Sequence, residues 1–137
     1  MCLERIIEKY PKEDHKNIYG YQVVRLEGKS VNTNENVYTS FHQHLEILRE
    51  TGKVYKRQPD SNNIILTTRP GKYRTGFHVW TTGLAAAKWG RDASPYSYDP
   101  EKITVVKVKL FDVRTKGKQY GSTVYVGDKI KIIKEIK

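Results

Sequence analysis

The stretch from Arg74 to Gly90 combines residue types that could form a binding site, including an arginine, a histidine and both tryptophans of the chain. If residues 74–80 are extended as in a strand, Arg74, Gly76, His78 and Trp80 share one face because side chains alternate along a strand. An arginine pairs with phosphate, an aromatic ring stacks on a base, and a histidine donates a hydrogen bond. We therefore expect this face to be open and to bind an anionic ligand.

The same stretch also has a purely structural interpretation. Phe77 and Trp80 would pack in the core, and the His78 ring would hydrogen-bond to a backbone carbonyl group. A threonine of the pair Thr81-Thr82 would cap a helix at 83–89, whose free N–H groups either bind an anion or are merely capped. The candidate ligand-binding residues are Arg74, His78, Trp80, Lys88 and Arg91, with Tyr73, Tyr96 and His42 nearby.

Histidine and cysteine spacing gives little support for a metal or a nucleophile. His42 and His44 share a face only in a strand, and zinc would need a third ligand, from His15 or Cys2, that the spacing does not demand. Cys2 would become an N-terminal nucleophile if Met1 were removed, and is otherwise a small buried apolar residue. We predict neither a metal nor a cofactor.

Charge and composition narrow the class of protein. Lys and Arg number 25 against 15 Asp and Glu, giving a formal net charge of +10 at pH 7. Such an excess attracts polyanions, although lysines also keep a small protein soluble and protect sheet edges. The 137 residues suit a single domain over residues 1–137. One cysteine, no membrane-length apolar run and no apolar leader core indicate a cytoplasmic protein without membrane contact.

Hydrophobic periodicity predicts an α+β fold. The expected architecture is a largely antiparallel twisted sheet of about six to eight strands with two or three short helices. The predicted helices cover residues 3–9, 44–51 and 83–89. The predicted strands cover 19–26, 37–41, 54–57, 64–68, 77–81, 103–111, 122–126 and 129–136, with a turn at Gly127-Asp128.

The last third of the chain has the clearest alternation. In the strand predicted at 103–111, alternate valines and Leu110 face one way, whereas Lys107 and Lys109 face the other. In the strand predicted at 129–136, Lys129 and Lys131 lie opposite two isoleucines. One apolar face and one lysine face are typical of an antiparallel sheet with one side in water.

Five short features resemble a group of small uncharacterised phage proteins. They are Met1-Cys2, Gly76-Phe77-His78, the alanines at 85–87, a valine-rich strand at 103–110 and a terminal strand at 124–133. The resemblance covers about half of the chain and implies a phage origin, and with it the cytoplasm of the host cell. It implies no particular activity.

The chain is also weakly similar to the ADP-ribosyltransferase-like fold, in which a Gly-aromatic strand precedes an alanine-bearing helix and a returning valine strand. This similarity implies that His78 lies near the ligand. The chain departs from that pattern at the glutamate of the final strand, since Glu135 is almost at the end and Glu101 precedes its strand. This departure puts catalysis in doubt.

The hypothesis we favour is a non-enzymatic phage protein that binds a nucleotide signal or a nucleic acid, in counter-defence or host takeover. One alternative is an ADP-ribosyltransferase-like or other nucleotide-directed enzyme, which needs a carboxylate close to His78. The other is a protein-binding inhibitor or small virion component, whose partner is a host protein.

Overall fold

The computed structural model describes residues 3–29, 36–40, 49–56, 65–67, 71–74, 76–93, 103–119 and 121–136. These ranges contain one α-helix, α1 (Gly83–Ala93), and a single 3-10 turn, Lys12–Asp14. The strands are β1 (Arg5–Lys9), β2 (Ile18–Lys29), β3 (Asn36–Ser40), β4 (Arg49–Glu50), β5 (Val54–Lys56), β6 (Ile65–Thr67), β7 (Lys72–Arg74), β8 (Phe77–Trp80), β9 (Ile103–Gln119) and β10 (Ser122–Ile136).

The hairpin formed by β9 and β10 is the longest feature of the fold. The two strands pair antiparallel along nearly their whole length, from Ser122 with Gln119 to Ile136 with Val105. The predicted turn at Gly127-Asp128 is wrong, because Gly127 lies inside β10 and pairs with Val113. The chain reverses instead around Gly121, whose positive φ of 73° suits glycine.

The eight-stranded sheet closes on itself around this hairpin. Its strand order is β1-β9-β10-β8-β2-β3-β4, β5 pairs with β10, and β2 also pairs with β9. The strands β9, β10, β8 and β2 therefore form a ring, in which β8 and β2 are joined through Tyr21 and Trp80. Strands β6 and β7 form a separate two-stranded sheet.

Two hydrophobic cores lie on opposite faces of the sheet. The first core comprises Val24, Tyr38, Phe77, Val79, Val106, Val108, Leu110, Val113, Ile130 and Ile132. The second core comprises Leu3, Val23, Tyr73, Trp80, Ala86, Trp89, Val124 and Val126. Helix α1 contributes Ala86 and Trp89 to the second core, so it covers a face that would otherwise be open.

The predicted antiparallel sheet is confirmed, but the protein is mainly β rather than α+β. Helix α1 was predicted, and its cap is confirmed by the Ala85 N–H, which donates to Thr82 Oγ1 at 3.1 Å. The helix predicted at 3–9 is wrong, because residues 5–9 pair with the distal half of β9. The helix predicted at 44–51 falls mostly outside the described residues, and its residues 49–50 form β4.

No helix in the described ranges combines the length and apolar character needed to cross a membrane.

Candidate functional site

The predicted open face on β8 is wrong, because all four residues of this strand are buried. Strand β8 lies between the two cores, with Phe77 and Val79 in the first and Trp80 in the second. Trp80 is 1% exposed and packs on Trp89 of α1, with ring centroids 5.9 Å apart. Since α1 follows β8 directly and folds back on it, the face expected to be open is covered.

His78 is buried with both ring nitrogen atoms bonded to protein groups. Its side chain is 6% exposed, Nδ1 lies 3.1 Å from Gly76 O, and Nε2 lies 2.9 Å from the Tyr73 hydroxyl oxygen. Burial lowers the pKa of His78 to about 4, so the ring is neutral at pH 7. Because a carbonyl oxygen only accepts, Nδ1 carries the proton and Nε2 accepts a hydrogen bond from Tyr73.

Tyr73 continues this chain of hydrogen bonds to the start of the described chain. The Leu3 backbone N–H donates to the Tyr73 hydroxyl oxygen at 2.8 Å, and Tyr73 and Leu3 are each 2% exposed. His78 is therefore linked through Tyr73 to Leu3, and Tyr73 and Leu3 are both members of the second core. In this structure the network is structural, because a ligand cannot reach His78, Trp80 or Tyr73.

The remaining predicted ligand contacts do not join a common site in the described structure. Lys88 is exposed on α1. Arg74 lies in β7 and Arg91 in α1, and their ligand contacts stay predictions. Tyr96 and His42 lie outside the described residues.

The metal site considered at His42 and His44 also falls outside the described residues. Elsewhere in the described chain, no cluster of three or more His, Cys, Asp or Glu residues could hold a metal ion.

The register of four strands assembles a different candidate site, which we call the lysine face. Cross-strand partners in an antiparallel sheet place their side chains on the same face. One row across β2, β9, β10 and β5 consists of Tyr19, Lys109, Lys131 and Val54. The neighbouring rows add the pairs Phe111–Lys129 and Lys129–Lys56 on one side and Lys107–Lys134 on the other. The lysine face comprises Lys56, Lys107, Lys109, Lys129, Lys131 and Lys134, with Tyr19 at its edge.

An exposed aromatic ring lies at the edge of the lysine face. Tyr19 is 58% exposed, and the Nζ atoms of Lys107 and Lys109 lie 5.3 and 5.6 Å from its ring centroid. Lys109 also lies 5.1 Å from the centroid of Phe111. Cations at these distances are attracted to the ring face, so the site combines positive charge with a surface on which bases could stack.

The lysine face carries little compensating negative charge. Lys109 lies directly opposite Lys131, and Lys107 directly opposite Lys134. Within the described ranges the adjacent carboxylate is that of Asp112, which lies 3.5 Å from Lys129 and 3.0 Å from His15. The hydrogen bond from His15 and the nearby charge of Lys129 lower the pKa of Asp112, which is therefore ionised at pH 7.

The two lysine pairs of this face are visible in the sequence, but their position side by side on one surface is not. Alternation placed Lys107 and Lys109 on one strand face and Lys129 and Lys131 on another. Only the β9–β10 register brings these faces together, and only β2 and β5 add Tyr19 and Lys56.

Comparisons with protein families, curated proteins and solved structures give no match to this chain.

Proposed function

We propose that the protein binds a nucleic acid, without catalysing a reaction, through the lysine face. The observation that supports this most is the direct opposition of Lys109 and Lys131 across β9 and β10. Like charges directly opposite each other destabilise a sheet. A polyanion bound to this face would neutralise the charges of Lys109 and Lys131. In the free protein these two charges repel each other.

The extent of the surface favours a chain of phosphates over one nucleotide. Its lysines span three neighbouring strands, which are about 4.8 Å apart, and residues i and i+2 along a strand are about 6.8 Å apart. Single phosphate groups would contact only part of this array. An extended backbone would contact several lysines at once while Tyr19 stacks on a base, as in proteins that bind single strands.

The enzymatic alternative has less support. It requires a carboxylate close to His78, and no described carboxylate hydrogen-bonds to that ring. Glu135 of the last strand instead accepts hydrogen bonds from Thr104 at 2.8 Å and Tyr38 at 3.3 Å. The residue of β10 that pairs with His78 is Val126, which precedes Glu135 by nine residues. Glu135 is therefore at a different level of the sheet from His78. The phage origin, the counter-defence role and the cytoplasmic location stay predictions.

The proposal is tested by the affinity for a labelled single-stranded oligonucleotide, measured by fluorescence anisotropy across a range of salt concentrations. If all six lysines neutralise phosphates, the slope of log K against log salt is about −4 for a single strand. The double variant Lys109→Gln/Lys131→Gln should bind more weakly, with a slope smaller in magnitude by about 1.4. A duplex of equal length tests whether stacking on Tyr19 favours the single strand.

The matched control is Lys9→Gln/Lys29→Gln, which removes the same charge elsewhere. Lys9 pairs with Thr115 and Lys29 with Asn36, outside the lysine face. Equal weakening by both double variants, or an affinity that does not change with salt, would refute the proposal. A stable complex with a host protein, indifferent to nucleic acid, would support the protein-binding alternative instead.

A further inference from the structure

Arg49 is a charged side chain in the interior of the protein. It belongs to the short strand β4, pairs with Tyr38 of β3 and is only 3% exposed. The centre of its guanidinium lies 5.4 Å from the ring centroid of Phe77, a member of the first core. An arginine in such a position normally has a carboxylate partner, because burying an unpaired charge is costly.

Arg49 has no such partner among the described residues. Its Nη1 donates a hydrogen bond of 2.8 Å to Gln22 Oε1. The side chain of Gln22 is itself held in place, since its Nε2 donates to His78 O at 3.2 Å. A guanidinium has five N–H donors, so this neutral amide leaves most of the donors without a described partner, and the Phe77 ring face is the main described group that offsets the charge.

The other nitrogen atoms of Arg49 are not sealed inside the protein. Among the described residues, the buried side-chain polar atom without a hydrogen-bond partner is Gln119 Oε1. The remaining Arg49 nitrogen atoms therefore retain slight solvent contact, although the residue as a whole is only 3% exposed. The guanidinium is thus almost fully buried against Phe77, and its hydrogen bond to Gln22 fixes its orientation.

Burial lowers the pKa of Arg49 to about 10, which still leaves the side chain charged at pH 7. The positive charge in the interior is therefore permanent under ordinary conditions, and it requires an anion more strongly than an exposed lysine does.

We propose that Arg49 forms the floor of a second, separate site that binds one oxyanion group, a phosphate or a carboxylate. The planar fork of a guanidinium matches two oxygens of either group, and such bidentate bonds are among the strongest in proteins. Gln22, which holds Arg49, pairs with Val106 of the first core. Lys107 and its neighbours on the lysine face project to the other side of β9. The site thus takes a small anion or one terminal group of a larger ligand.

The direct test uses the wild-type protein and needs no substitution. The Nε–Hε resonance of Arg49 is followed by NMR while inorganic phosphate, and separately acetate, is added at constant ionic strength with chloride as the reference anion. A saturable shift of the resonance with either anion supports the site, and the anion with the lower Kd identifies the preferred group. An unchanged Arg49 resonance throughout both titrations overturns the proposal.

Thermal unfolding gives a second readout through Arg49→Met, which replaces the charged side chain by a shorter, unbranched apolar one. In chloride the variant should melt at or above the wild-type temperature, because it no longer buries an unpaired charge. At saturating phosphate the wild-type Tm should rise by roughly 3 to 6 °C and that of the variant should not. Equal rises in both proteins would assign the effect to the general basic surface and refute the site.

Two further variants separate this site from the lysine face. Arg49→Lys keeps the charge but loses the fork, and should bind phosphate at least tenfold more weakly than the wild type. Lys109→Gln/Lys131→Gln should leave the Arg49 resonance shift unchanged while weakening nucleic-acid binding. Failure of the nucleic-acid proposal would therefore not remove this one. If Arg49→Met does not fold, the wild-type titration alone decides.

Discussion

The hydroxyl group of Tyr73 and Nε2 of His78 lie 2.9 Å apart in the second core, where the same hydroxyl oxygen accepts the Leu3 N–H. This relationship changes the role of the histidine that the sequence made most prominent. Both ring nitrogen atoms bond to protein groups, so His78 connects β8 to β7 and to the first described residues. The imidazole therefore stabilises the fold, while the positive charge gathers on another face of the sheet.

Tyr73→Phe should destabilise the protein by about 3 kcal/mol, because it leaves the buried Leu3 N–H and His78 Nε2 without partners. Chemical denaturation measures the change in the free energy of unfolding. Tyr19→Phe is the control, since Tyr19 is 58% exposed, and should change that free energy by less than about 0.5 kcal/mol. Similar effects of the two substitutions would contradict the role of the buried network.

His78 should make the protein sensitive to mild acid. Its pKa is lowered in the folded state to about 4 from an ordinary value of 6.5, so the unfolded state binds the proton first as the pH falls. The part of the free energy of unfolding that depends on a neutral His78 is therefore fully present above about pH 6.5. It is lost between pH 6.5 and 4, by about 3 kcal/mol in total.

Urea denaturation at several pH values tests this effect by comparison with His78→Gln. The variant should be less stable at pH 7 but should lose less stability on acidification. Lys88→Gln, which alters an exposed side chain of α1, should retain the wild-type decline. A decline of the same size in His78→Gln would assign the acid sensitivity to other groups.

Gly127 should be intolerant of substitution, although the sequence suggested a turn there. An added Cβ would lie 2.7 Å from Leu110 Cγ and 2.9 Å from Phe111 O. Gly127→Ala should therefore cost about 2 kcal/mol, as overpacking usually does. Gly71→Ala is the control, because among the described residues its Cβ would meet only Ile6 Cδ1, at 3.6 Å. A neutral Gly127→Ala would show that this close packing is absent.

Asp112→Asn should strengthen nucleic-acid binding, because it removes the carboxylate that lies 3.5 Å from Lys129. The backbone conformation is retained, since asparagine tolerates the positive φ of 54° at this position. We expect an affinity gain of about threefold at low salt, equivalent to roughly 0.7 kcal/mol, the scale of one surface charge interaction.

The control for that substitution is Glu27→Gln, which removes a carboxylate paired with Arg25 near the far end of β2. Its affinity for the same labelled oligonucleotide should match that of the wild type at every salt concentration. A gain of equal size in both variants would mean that net charge, rather than the lysine face, governs binding.

Local patterns predicted several elements correctly. The alternation around Lys107 and Lys109, and around Lys129 and Lys131, predicted strands with one apolar and one lysine side, which β9 and β10 confirm. The threonine before the alanine-rich helix predicted its cap, and Thr82 occupies that position. These features depend on residues close together in the chain, so periodicity and capping rules were sufficient.

Non-local contacts account for the errors. Leu3, Ile6 and Ile7 fit a helical spacing, yet residues 5–9 extend because the edge of β9 supplies hydrogen-bond partners and Leu3 packs in the second core. The two lysine pairs were visible in the sequence, but their alignment into one surface depends on the register between β9 and β10.

The amino-acid sequence by itself determined the positive charge, the alternation of the terminal strands and the capped helix, because each depends on composition or on neighbouring residues. The tertiary structure decided that His78 is buried, that Arg49 lies in the interior without a carboxylate partner among the described residues, and that six lysines share a face. The physical reason is that burial and cross-strand register couple residues far apart in the chain, and no local pattern encodes which of them meet.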